Sequence, residues 1–280
     1  MTDWQSIAKR NARSVQTTIG WIYWHPGAVQ RYADLGIPDP LGYIASRAAP
    51  LSPAGPEAVN AAFGSISPLG IAMALDLLQR HTSPDALWDA RNAAIVEGLQ
   101  QHAPAMLDAL TQWGPRLWLV VEQLPMVGRV FFASHLGMPR PDDPVLSGWH
   151  AVNCLREWRG DTHWAIVVAN GLTGVEASIV HNLWLGYDED WLPNSRGSSP
   201  TEIAAAKESL RARGLLGDDG VRLRQRMEDE TDRLTTLPWE LLGEERSTQF
   251  AADFEPPCEL LLKRVDLTAG PNYQPGSRIR

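Results

Sequence analysis

Apolar residues recur at three- and four-residue spacing along most of the chain, the period of helices with one buried face. The spacing predicts helices over Pro56 to Phe63, Pro68 to Arg80 and Ser83 to His102. Ser67-Pro68 and Ser83-Pro84 act as cap-plus-first-turn starts. Before them, Pro26-Gly27, Gly36, Pro38, Pro40 and Gly42 break the pattern into short helices joined by tight loops. In LGYIASRAAPLSP, Tyr43 and Arg47 lie four apart and share a face, with Pro50 near the helix end. A helical region from Pro115 to Leu136, broken at Pro125, leads into the turn MPRPDDP. Val145 to Asn170 then reads as one long central helix, ended or kinked by Gly160 or Gly171. Beyond it come a helix from Val175 to Trp184, the polar loop PNSRGSSP read as a hinge between lobes, a helix from Thr201 to Arg213 closed by Gly214, and another from Leu223 to Leu234.

Composition narrows the class. A chain of 280 residues, 44% hydrophobic and 21% charged, is long enough for one large or two closely packed globular units. Its apolar runs fall short of the ~20 residues that span a bilayer, and the opening MTDWQSIAKRNARSVQTT lacks the apolar core of a signal peptide. The expectation is a cytoplasmic protein with no membrane partner. Two cysteines, Cys154 and Cys258, without CxxC spacing argue against a disulfide framework or a zinc site. The net charge of -8 works against a nucleic-acid partner. Twelve tryptophans suit a core, a pocket wall or an oligomer interface.

Two stretches carry a family likeness. SPTEIAAAKESLRARGLLGDDGVRLRQRMEDETDRL, with Leu210, Gly214 and Leu215 followed by the Asp218 to Leu223 turn, resembles the second half of a MarR-type winged helix. RAAPL (Arg47 to Leu51) and LREWRGDTH (Leu155 to His163) are similar to a family of actinobacterial helix-turn-helix-like proteins. The resemblance implies a two-stranded wing over Asp218 to Leu223, a homodimer built through Leu223 to Leu234 and the region beyond Glu244, and a reading helix over Thr201 to Arg213. Yet Ser199 to Gly220 holds Lys207, Arg211 and Arg213 against Glu202, Glu208, Asp218 and Asp219, one net negative charge where a reader of DNA needs cations. Nucleic acid is therefore an unfavoured partner on this reading.

The densest chemistry is HAVNCLREWRGDTH. His150, Cys154, Glu157 and Asp161 fall on one helical stripe, and Trp149, Arg156, Arg159 and His163 on the next. Buried charges need partners, so a structural ion-pair network is one reading. The other is a site in which His150 and His163, held by Glu157 and Asp161, move protons while Arg47, Tyr43, Arg156, Arg159 and Trp149 bind a small organic substrate. His150, Glu157 and Asp161 supply metal-type ligands, but HExxH spacing is absent and arginines crowd them, so neither metal nor cofactor is expected.

The resulting expectation is an all-α chain with a small β wing: a helical lobe over residues 1-170, a winged-helix-like lobe over 171-245, and a C-terminal helix and tail over 246-280. Its favoured function is cofactor-independent acid/base catalysis of lyase, isomerase or cyclase type in a tryptophan-lined pocket. The alternative is a ligand-responsive MarR-like transcriptional regulator. The tail TAGPNYQPGSRIR, with Tyr273 between prolines, reads as a segment for docking on a neighbouring molecule.

Overall fold

Proline and side-chain caps start several helices where the punctuation says they should, but Ser67 makes no side-chain cap bond, and the region expected from Pro115 to Leu136 is two helices, Ala105–Val121 with Pro115 in its interior and Val130–Leu136. In the computed structural model, which describes residues 2–278, the α-helices are α1 Trp4–Gly20, α2 Pro26–Asp34, α3 Leu41–Ala48, α4 Pro56–Phe63, α5 Pro68–His81, α6 Pro84–His102, α7 Ala105–Val121, α8 Val130–Leu136, α9 Pro144–Ala169, α10 Gly174–Leu185, α11 Trp191–Ser195, α12 Pro200–Ala212, α13 Asp218–Leu234, α14 Leu237–Leu242, α15 Glu244–Thr268 and α16 Pro275–Arg278. Two 3-10 turns, Trp21–Trp24 and Ala49–Ala54, follow α1 and α3. Ser83 caps α6 by accepting from the Ala86 N–H at 3.2 Å, and Asp143 caps α9 through the Leu146 N–H at 2.9 Å. Reciprocal capping boxes, Thr173 with Glu176 and Ser199 with Glu202, open α10 and α12.

The fold is all-α, and no strand occurs among the described residues. The expected wing is replaced by a tight corner and the first turns of α13. Only Arg213 to Gly217 separate α12 from α13, too short for two strands. A Cβ on Gly220 would lie 2.0 Å from the Leu215 carbonyl oxygen, so the corner closes only over a glycine. Asp218 and Asp219 then sit in the first turn of α13, where carboxylates favour the helix dipole.

Helix α9 is the axis, 26 residues and roughly 39 Å long at 1.5 Å per residue. Its N-terminal half lies in the larger core with α1, α6, α7, α8 and α15, and its last turns, Ile166 and Val167, join a smaller core with α10, α12 and α13. It crosses α7 closely because a Cβ on Gly148 would meet the Leu110 carbonyl oxygen at 2.1 Å. No single helix among the described residues is long and apolar enough to cross a membrane.

Two sequence expectations about loops are corrected here. PNSRGSSP is pinned rather than free: it contributes the end of α11, and the Arg196 carbonyl accepts from the Ser67 N–H at 2.9 Å. The tail docks on its own chain, with Tyr273 against Trp24 and Trp191 at ring separations of 4.2 and 5.0 Å and α16 packed on α1.

Candidate functional site

Where the two cores meet, α9 leaves a cavity of about 520 Å³. The N-terminal helices supply Tyr23, Trp24, Tyr43, Arg47 and Phe63 to its wall; α9 supplies Arg156, Glu157, Arg159, His163 and Trp164; α10 and α13 supply His181, Arg224 and Glu228; the tail closes it with Tyr273 to Ser277. Trp164 can lie against the chain because Gly64, at φ 75°, has no Cβ; one there would be 2.2 Å from the indole.

Two ion networks line this space. Glu157 accepts a fork from Arg47, Nε at 3.1 Å and Nη2 at 2.7 Å, and a bond from Arg156 Nη1 at 2.5 Å. Burial alone would raise the Glu157 pKa, but Arg47 and Arg156 outweigh it and hold the carboxylate well below its usual range. The Arg47 guanidinium also stacks on Phe63 and Phe131, 4.8 and 4.6 Å from the ring centres. In the second network Arg159 meets Asp232 at 2.8 Å and Glu228 at 3.7 Å, while Arg224 pairs with Glu228 and donates to His163 Nε2 at 2.9 Å.

That last bond sets the tautomer of His163. A guanidinium only donates, so Nε2 carries the lone pair and Nδ1 carries the proton, which it gives to Thr231 Oγ1 at 3.0 Å. Burial and the neighbouring Arg224 accordingly push the imidazole down to about 3. His181 on α10 is likewise held well below its usual value, by burial first and then by Arg224 and Arg196.

Of the nine candidate residues, Arg47, Tyr43, Arg156, Glu157, Arg159 and His163 line the cavity. The other three do not. His150 is sealed in the larger core, stacked on Trp118 at 5.4 Å and edge-on to Trp88 at 5.1 Å, with Nε2 donating to the His135 carbonyl at 2.9 Å. Trp149 is fully buried beside it, its Nε1 donating to the Thr18 carbonyl at 3.0 Å. Asp161 accepts from the Phe132 N–H at 2.9 Å and so caps α8. Sharing a helical stripe did not bring His150 to Glu157, because seven residues place them ~10 Å apart along the axis, against different neighbours.

Acid/base work by the histidines had rested on a titration near neutral pH. Burial drives His150 to about 3 as well, helped by His135 and Arg91. Both imidazoles are neutral at pH 7 and stay so.

Sequence reasoning missed Arg196, His181, Arg224 and Glu228. Arg224, Glu228 and Asp232 are spaced four apart on α13, a pattern that reads equally as a solvated face. Arg196 sits in a loop whose polar composition carried no signal of enclosure.

The arrangement is that of an all-α protein whose two cores share a polar, aromatic-walled cavity. Residues 8–268 match the helix-turn-helix family, and the chain belongs to that family. No curated protein and no solved structure matches it. Family membership corrects the expectation of a lyase, isomerase or cyclase: across nearly the whole chain the match is to helix-turn-helix proteins, and it favours the regulator kept as the alternative.

Proposed function

We propose that the chain is a ligand-responsive transcriptional regulator, with the cavity as its sensor and α12 as the element presented to DNA in the manner of the MarR-type proteins it resembles. The observation that carries the reading is the cavity's position. Ala177, Ser178 and His181 of α10 line the cavity, and α10 packs against both α12 and α13. A ligand that favours one setting of α10 therefore biases α12, which is the differential contact any such coupling requires.

The exposed face of α12 offers Thr201, Glu202, Ala204, Ala205, Glu208 and Arg211. Its cations are engaged, Lys207 with Asp190 at 2.5 Å and Arg211 with Glu208. Non-specific attraction to phosphates is accordingly small on this reading, and the salt dependence of DNA binding is shallow. A cytoplasmic homodimer would place two copies of α12 on successive half-sites. Exposed Leu234, Leu241, Leu260 and Leu267 on α13, α14 and α15 support that assembly, Leu267 at 82% exposure most of all.

The test is fluorescence anisotropy with duplexes covering the region upstream of the protein's own reading frame, at low salt. Sequence-selective binding by a dimer, with a shallow salt slope, is expected. No selective binding at protein concentrations of about 10 μM would remove the regulator reading.

A further inference from the structure

We propose that the cavity takes an organic anion, a carboxylate or phosphate carried on a flat apolar body, and that Arg196 holds the anionic head. The biological role of such a ligand rests on the regulator reading above; its binding does not.

The cavity wall carries an excess of positive charge. Five guanidiniums, those of Arg47, Arg156, Arg159, Arg196 and Arg224, face Glu157 and Glu228, with Asp232 behind Arg159. Because His163 and His181 are neutral, two positive charges remain. Pairing locates one of them. Arg47 and Arg156 share Glu157, and Arg159 and Arg224 share Glu228 and Asp232. Arg196 has no carboxylate within 4.0 Å among the described residues; its Nη1 donates to the Ser65 hydroxyl and its Nε is buried without a partner.

A second arginine shows what a structural solution looks like in the same protein. Arg91 also lacks a carboxylate within 4.0 Å among the described residues, and its Nε and Nη1 are buried without hydrogen-bond partners, but its guanidinium is clamped between Trp88 and Trp149, 4.0 and 4.7 Å from the ring centres, with 1% of the residue exposed, and it does not line the cavity. Arg196 is clamped by no ring among the described residues and borders the open volume. Even a half-buried cation gains from a partner when one of its donors is buried without one, and an anion in the cavity supplies it. The phenol of Tyr43 registers the same field. Burial would raise its pKa, but Arg47, Arg156 and Arg196 reverse the shift and lower it. Trp24, Trp164, Trp191 and Tyr273 form the apolar part of the wall, and about 520 Å³ suits a molecule of two or three fused rings.

Titration of the full-length protein with 2-naphthoate, 2-naphthyl phosphate and the neutral 2-naphthamide, followed by tryptophan fluorescence and calorimetry, tests this. At least one anion is expected to bind about tenfold or more tightly than the amide, and whichever anion wins identifies the head group. In Arg196→Met, with the unfolding midpoint showing that the fold persists, the ratio should fall to about one. Equal binding of anion and amide in the parent, a preserved ratio in Arg196→Met, or no anion binding at about 1 mM would each overturn the proposal.

Should Arg196→Met fail to fold, a crystal of the parent with 6-bromo-2-naphthoate decides. Anomalous signal inside the cavity with the carboxylate on Arg196 supports the site, and any other placement overturns it. Repeating the DNA titration with the same anions separates the two readings. Anion binding without DNA binding removes the regulator alone, while DNA binding without anion preference removes the anion site alone.

Discussion

His150 and His163 lie on the same helix, thirteen residues apart; His150 is buried, His163 is half-buried, and both are neutral. His150 ends in a buried aromatic slot beside Arg91, where two indole faces lie against the guanidinium. His163 ends in a polar wall beside Arg224, on the cavity that Arg196, without a carboxylate within 4.0 Å among the described residues, also lines. The lesson is that a buried titratable group signals a ligand site only where space and uncompensated charge accompany it. One half of α9 is core and the other half is wall.

The largest expected effect attacks the wall where its charges are most tightly held. Glu157→Ala strands both Arg47 and Arg156, and should lower unfolding free energy by roughly 3–5 kcal/mol in urea denaturation. A loss below about 1 kcal/mol would mean that cavity water already screens those arginines and that the wall is wetter than its geometry implies.

A like-for-like exchange sharpens the contrast at the two histidines. His150→Gln removes the ring stacked on Trp118 and should cost about 1–3 kcal/mol while leaving 2-naphthoate binding unchanged. In His163→Gln the amide can still donate to Thr231 and accept from Arg224, so stability should drop by about 1 kcal/mol or less, while anion affinity shifts. If the binding changes appear in the reverse pair, the division of α9 into core and wall is wrong.

The last contrast is in pH dependence, and its sign differs along the helix. The imidazole of His150 titrates near 6.5 unfolded and about 3 folded, so the stability it contributes is full above 6.5 and lost as pH falls toward 3. Asp161 goes the other way. Burial raises its carboxyl from 3.8 to about 7, only partly offset by the Phe132 N–H, so its contribution is full below 3.8 and lost as pH rises through 7. Between pH 4 and 6, His150→Gln should flatten the rise of stability with pH and Asp161→Asn should steepen it, each by up to about one proton, measured as unfolding midpoints across that range. Equal slopes in parent and variants would place both groups in contact with water.

Local interactions made much of the helix order legible in the sequence. Ser83-Pro84 announces the start of α6 because a cap is a contact between residues two or three apart, while Asp143, Thr173 and Ser199 show themselves as caps only in the structure. Apolar spacing and proline punctuation likewise marked α4, α5, α6, α9 and α10 to within a few residues. The wing was misjudged because Asp218 to Leu223 reads as a turn, whereas it is the start of α13, entered through a corner that closes because Gly220 lets the Leu215 carbonyl approach.

The site was legible only in part. Arg47 and Arg156 stood out because charge amid apolar residues must find a partner, and they did so on Glu157. Which residues shared a wall was decided by tertiary structure, since it depends on where α3, α13 and the 193–200 segment arrive in space. Local chain chemistry thus determined that the protein is helical and that Arg156 to His163 is a place of paired charge. Only the packing of two cores around α9 decided that His150 faces indoles, that Arg196 faces open volume without a carboxylate, and that Tyr273 closes the cavity of its own chain, because burial and electrostatic compensation are properties of neighbours in space rather than of neighbours in sequence.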